Sequence, residues 1–376
     1  MLLELVWRGG VLAIGAVIVF VVVRSAIRTF LLPRPVLDPI PSLVFRLSRR
    51  VFDWLVGFQS TYEGRDRIMA NFVPVSLMIL VPTLLFIMHL GFTLVFWGAK
   101  GDEPYQSFLI SGSSLLTLGS TPPTTPIEVL LSYTEAIIGL TLTAIVIAYF
   151  PTMYGAFSQR EVLVRQLETR AGSPPSAVYF FELAYPLGRM DLRDFWREWE
   201  LWFAQIDETH TSLGPLSFFR SSQPHHHWIT AAGTVLDAAS LYQAVLAYPP
   251  DPGAALCIRA GYLALRHISD LFSVPYQPDP HFPRNSISIS RLEFDQACDR
   301  LARAGLPLKA DRDQAWTDFA GWRVNYDQTL LGLCTLLMAP EAPWSSDRMP
   351  AYRPLPLLSL LRKPKAAATA PVQDTR

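Results

Sequence analysis

Ser113-Ser114-Leu115-Leu116-Thr117-Leu118-Gly119-Ser120-Thr121-Pro122-Pro123 separates a short apolar segment, beginning at Tyr105, from a long apolar run, Ile127 to Phe150. At about 1.5 Å per helical residue the first segment makes about three turns, too few to cross a hydrocarbon core about 30 Å thick. The second is long enough. A chain that enters, stops at a tight polar turn and returns leaves irregular backbone at membrane depth. Such backbone is tolerated only where it is buried in protein or lines water. The pattern therefore predicts a re-entrant helix and a polar turn over 105–121 that line a pore, leading into a spanning helix over 127–150. The competing reading makes Leu115 to Pro126 an ordinary external loop, its glycine and prolines being turn chemistry.

Two further spanning segments precede it, at 2–23 and 72–97. The first keeps Arg8 early and Arg24 and Arg28 just beyond its end, unlike a cleavable signal peptide. Arg24, Arg28, Arg34, Arg46, Arg49, Arg50, Arg65 and Arg67 all lie between these two segments. The positive-inside rule places that connection in the cytoplasm and the N-terminus outside, so a third span brings the C-terminal half to the cytoplasm. Pro33 to Pro41 breaks the first helix. Over 42–59, Leu43, Val44, Leu47, Val51, Trp54, Leu55 and Phe58 recur at helical spacing against Arg46, Arg49, Arg50 and Asp53, which predicts an amphipathic helix on the inner leaflet.

His89 falls inside the second span. An intramembrane ionisable residue marks function by default; here a neutral imidazole bonded to a neighbouring helix is favoured over a proton relay, since no second ionisable group shares the span. Lys100, Asp102 and Glu103 form a short external turn. Gly139 is either a gating hinge or a site of close helix packing, and Pro151 is expected to close the third span.

The turn after Tyr105 resembles a known family. Pore-loop cation channels, potassium channels included, carry a hydroxyl residue and then Thr-Val/Ile-Gly-Tyr/Phe-Gly between a short pore helix and an inner helix. Here Thr117-Leu118-Gly119 stands for Thr-Val-Gly, with Ser114 at the hydroxyl position. The run is more similar to the cyclic-nucleotide-gated type, whose Thr-Ile-Gly-Glu-Thr-Pro-Pro aligns with Thr117 to Pro123, and Glu135-Ala-Ile-Ile-Gly139 matches that type's acidic-x-x-x-Gly. The resemblance covers Tyr105 to Phe157. It implies a homotetramer in which carbonyls of Thr117, Leu118 and Gly119 and the Thr117 hydroxyl replace an ion's hydration shell, supported by Ser114 and continued by Ser120, with Gly139 near a gate. No aromatic follows Gly119, and Thr121 replaces a second glycine. A shortened filter keeps fewer carbonyl sites in line, so the permeant ion is potassium or, with weak selectivity, sodium as well.

Composition fits a chain with two halves. The 376 residues are 50% hydrophobic and 17% charged, with mean hydropathy +0.24. The apolar residues concentrate before Phe157, predicting a membrane domain over 1–157, a second domain over 158–345 and a disordered tail over 346–376. A formal net charge of zero argues against nucleic acid as a partner; the lipid bilayer and further copies of the chain are the expected partners, in a bacterial inner membrane. Apolar periodicity in the second half predicts helices at 177–187, 192–206, 228–247, 254–272, 290–304 and 311–338, hence an all-α cytoplasmic domain.

Phe195, Trp196, Trp199, Trp202 and Phe203 form a stripe at three- and four-residue spacing, read as core or subunit contact. Cys257, Cys298 and Cys334 fit reduced thiols in no metal or disulfide framework. His225-His226-His227 lacks partners at ligand spacing. No Gly-x-Gly-x-x-Gly after a strand, Walker loop, His-Glu-x-x-His or Gly-x-Ser-x-Gly occurs, so a dinucleotide sensor, ATP-driven transport and the common hydrolases find no foothold. The expectation is an all-α membrane protein without catalytic chemistry or cofactor: a channel with an unidentified gating ligand, or else a membrane-anchored sensor or scaffold. A membrane enzyme using His89, His210 or the His225 cluster is the weakest alternative, because no acid, base and nucleophile set assembles.

Overall fold

In the computed structural model, which describes residues 2–32, 38–101 and 103–348, the described residues are helical apart from turns and one isolated antiparallel bridge, Leu246 to Leu308. Residues 33–37, Asp102 and most of the expected tail, 349–376, lie outside the described residues. The chain divides into two compact units, Met1–Gln159 with Ser212–Arg220, and Arg160–Thr211 with Ser221–Arg376.

The first unit holds α1 (Leu2–Phe30), α2 (Pro39–Val56), α3 (Tyr62–Ala70), α4 (Phe72–Lys100), α5 (Pro104–Leu115) and the start of α6 (Pro126–Ala171). Three stretches, Leu3–Phe30, Tyr62–Lys100 and Pro126–Ala171, are long and apolar enough to cross a membrane. Helices α1 and α4 pack antiparallel at small residues: a Cβ on Gly15 would lie 2.6 Å from the Gly91 carbonyl, and one on Gly98 2.7 Å from Leu12 N. Only backbone this close lets apolar helices gain dispersion energy where no hydrophobic effect drives them together. At the end of the pair Arg8 Nη2 donates to the Ala99 carbonyl at 2.9 Å, capping α4 with a cation.

Two sequence expectations about the first unit need correction. The third span does not end at Pro151, because α6 runs through it to Ala171; proline removes one hydrogen bond, which a long helix absorbs. The expected amphipathic helix is α2: Leu43, Leu47, Val51, Trp54 and Leu55, with Phe58 just beyond its end, make one outward apolar face, while Val44, Phe52 and Val56 are buried together with Arg49. The buried cation rests on a pairing the spacing hides: Arg49 bonds Asp53 at 2.8 Å and stacks over Phe72, so its charge is satisfied inside. Finally, Ser212–Arg220 belongs with the first unit rather than with 158–345. Phe218 packs edge-on to Phe72 at 5.8 Å and Arg220 pairs with Asp66 at 3.1 Å.

The second unit is built on α9 (Trp228–Ala244), buried on every side, as expected of a helix apolar all round. Around it lie α7 (Ala177–Ala184), α8 (Arg193–Ser212), α10 (Pro252–Leu271), α11 (Arg291–Arg303), α12 (Arg312–Arg323) and α13 (Asp327–Leu337). The aromatic stripe of α8 is core: Trp196, Trp199, Trp202 and Phe203 are all fully buried. The single helix expected over 311–338 breaks at Val324–Tyr326. There the buried Arg323 guanidinium turns in to Asp237 of α9 and to Asp327, and Tyr326 Oη bonds Asp237 at 2.9 Å. Two carboxylates hold Arg323 protonated above its already high range despite its burial. All three cysteines are free and buried, and burial pushes the Cys298 thiol up to about 11.

Candidate functional site

The α5 helix stops because its last turn is capped by a left-handed residue. Thr117 N donates to the Ser114 carbonyl at 3.2 Å and Leu118 N to the Ser113 carbonyl at 2.9 Å, the bond pair of a Schellman motif. The position that glycine usually fills is occupied by Thr117, at φ +53°. A β-branched residue there is held against its own sterics, by about 1–2 kcal/mol. Gly119 follows at φ +66°, with open space around a would-be Cβ. Thr117, Leu118, Gly119 and Ser120 are therefore brought together as one exposed turn.

Two further contacts fix this turn to its neighbours. Ser113 Oγ accepts from Thr121 N at 3.1 Å, closing the turn back onto α5. Ser114, the residue singled out by resemblance, instead donates to the Ile110 carbonyl at 2.9 Å; the supporting hydroxyl is one residue earlier. Downstream, Thr125 and Glu128 form a reciprocal cap at the start of α6. Thr125 Oγ1 accepts from Glu128 N at 3.3 Å, and Glu128 Oε2 accepts from Thr125 N at 3.0 Å and Thr124 N at 2.7 Å. Lys100 Nζ, at the end of α4, completes the arrangement 3.0 Å from Glu128 Oε1. The turn is thus tied to α5, and the segment that leads from it into α6 is pinned at Thr124 and Thr125 by Glu128 and Lys100.

Behind the turn, Gly139 of α6 meets the end of α5. A Cβ there would lie 2.6 Å from Leu115 Cδ1, so of the two readings of Gly139 the close-packing one has the contact. One helical turn earlier sits Glu135, fully buried. Its Oε1 accepts from Ser111 Oγ at 2.6 Å, and Ser111 Oγ lies 2.8 Å from His89 Nδ1. His89, on α4, therefore bonds a neighbouring helix. The second ionisable group missing from its own span stands on α6, reached through α5.

Sequence reasoning missed Ser111, Ser113, Lys100 and Glu128 as parts of this site. The Thr125-x-x-Glu128 cap was legible as a signature ahead of an apolar run; the hydroxyls of Ser111 and Ser113 carry no pattern of their own. Among the described residues no group of three or more His, Cys, Asp or Glu side chains is placed to hold a metal ion. His225-His226-His227 is split apart: His226 Nε2 lies 3.1 Å from Glu168, while His227 Nδ1 caps α9 by accepting from Ile229 N at 3.2 Å. Comparison with protein-family models, curated proteins and solved structures finds no match to this chain.

Proposed function

We propose that the chain is the subunit of a cation channel, with α5 as a re-entrant pore helix and Thr117, Leu118, Gly119 and Ser120 at the filter. The observation that carries this reading is the braced turn at the end of α5. Two left-handed residues in a Thr-Leu-Gly run, bonded back onto α5, form an irregular backbone segment between apolar helices, where such backbone is stable only if it is enclosed or wetted. Strain held by surrounding contacts, as at Thr117, is what a pre-formed binding backbone requires.

In this reading the carbonyls around Gly119 face a path closed by further copies of the chain, each giving one turn, and a cyclic homotetramer follows from symmetry. The permeant ion is a monovalent cation, potassium or sodium, and no cofactor takes part. The N-terminus lies outside a bacterial inner membrane and the helical unit inside, with a gating ligand still to be found. The outward apolar side chains of α2, Leu43 to Leu55, suit a helix resting in the lipid interface.

The test is single-channel recording of the full-length protein in planar bilayers under opposed potassium and sodium gradients, for the natural sequence and for Gly119→Asp. Aspartate tolerates the left-handed region, and the site has room for it, so folding survives the change. The expected outcome is cation current whose conductance or selectivity changes in the variant. Current identical in both proteins would place the ion path elsewhere. The separate core of the second unit favours one rival, a membrane-anchored sensor or scaffold, which silent bilayers together with a partner bound by the helical unit would support.

A further inference from the structure

Glu135 is the most enclosed ionisable residue of the first unit's apolar helices, at 0% exposure, and its two oxygens are unequal. Oε1 accepts the Ser111 hydroxyl at 2.6 Å; Oε2 has no hydrogen-bond partner. One turn away on the same face of α6, the buried Ser132 Oγ is unpartnered too. No arginine or lysine pairs with Glu135 among the described residues. The titratable groups nearest along its surroundings are His89 from α4, through Ser111, and, two turns earlier on α6 itself, Glu128, already held by Lys100 and two backbone amides. From α5 comes Ser111 and no ionisable side chain nearer than Tyr105, which is exposed.

An anionic carboxylate in this position would leave a charged oxygen buried without a donor, which is strongly unfavourable. The neutral acid leaves only an uncharged carbonyl oxygen without one. We propose that Glu135, Ser111 and His89 form a proton-binding relay in which Glu135 is the site that holds the proton. The ligand is a single proton delivered from water.

His89, at 8% exposure, is the less enclosed end and hence the point of entry. A proton arriving at His89 Nε2 makes an imidazolium; its Nδ1 proton passes to Ser111 Oγ as the Ser111 proton passes to Glu135 Oε1. His89 ends neutral with its proton on Nε2, Ser111 keeps one hydrogen, and the carboxylate becomes an acid, so one proton has moved and nothing else has changed. The hydrogen bonds then run the other way, Glu135 donating to Ser111 and Ser111 to Nδ1. Because the relay joins α4, α5 and α6, its occupancy bears on how α5 is held.

The experiment is infrared difference spectroscopy of the full-length protein in phosphatidylcholine vesicles, in H2O and D2O, at about pH 7. It reads a chemical group and does not depend on ion conduction, so it stands or fails separately from the channel reading. The expected spectrum has a protonated-carboxyl C=O band that shifts in D2O, disappears in Glu135→Gln and changes frequency in Ser111→Ala. Glutamine keeps the acceptor for Ser111; if that variant nevertheless fails to fold, the shift in Ser111→Ala decides. Absence of the band, or a band that Glu135→Gln retains and Ser111→Ala leaves in place, overturns the proposal.

Discussion

His210 illustrates how a single residue can set the acid tolerance of a unit. It is fully buried, its Nε2 accepting from Arg160 Nη1 at 3.2 Å and its ring 4.8 Å from Trp228. Burial first, and then the Arg160 charge, push the imidazole well below its ordinary value of 6.5. The folded state therefore holds fewer protons than the unfolded state as pH falls below 6.5, and stability falls with pH there. One proton gives a slope of at most about 1.4 kcal/mol per pH unit. Tryptophan-monitored unfolding of the second unit should lose stability between about pH 6.5 and pH 5, above the range where ordinary carboxylates titrate. His210→Gln, which keeps an acceptor without a titrating ring, should flatten that slope; an unchanged slope would assign it to another group.

At the scale of elements, the contact between α5 and α6 decides how the turn is presented. Gly139 leaves room for Leu115, and Gly139→Ala would press a methyl group to within 2.6 Å of Leu115 Cδ1. Overpacking of this kind costs about 1–3 kcal/mol. The expected result is a lowered thermal midpoint for Gly139→Ala, with part of the loss recovered in Gly139→Ala combined with Leu115→Ala. A hinge would respond differently: gating would change with no rescue by a smaller Leu115. The sequence showed a glycine at this position and left both readings open. Only the neighbour across the helix pair separates them.

For the whole molecule the informative element is α6. Up to Met153 its buried positions, Glu128, Ser132, Glu135, Gly139, Leu142, Val146, Tyr149 and Met153, recur at alternating steps of four and three, a single narrow stripe. The other faces are open: Leu130, Tyr133 and Ile137 are each 65% exposed and Ile147 66%. An apolar helix covered on one stripe leaves its remaining surface to lipid or to other copies of the chain, and the channel reading requires copies. Native mass spectrometry of protein extracted in mild detergent should give four chains. A monomer would leave the α5 turn without the neighbours needed to close a path.

Periodicity alone determined that this protein is helical, that three stretches are apolar enough to cross a membrane, and that the aromatic stripe of 195–203 is a packed face, in a core or a subunit contact. These are local properties, since burial of one face imposes a spacing that survives in the sequence. The tertiary structure alone decided which hydroxyl braces the turn, that Arg49 is buried, that Ser212–Arg220 packs with the first unit, and that His89 finds its ionisable partner on α6. Hydrogen bonds and ion pairs between residues far apart in the chain have no period. They exist only once helices stand side by side, where an unpaired buried polar group is costly enough to select its partner.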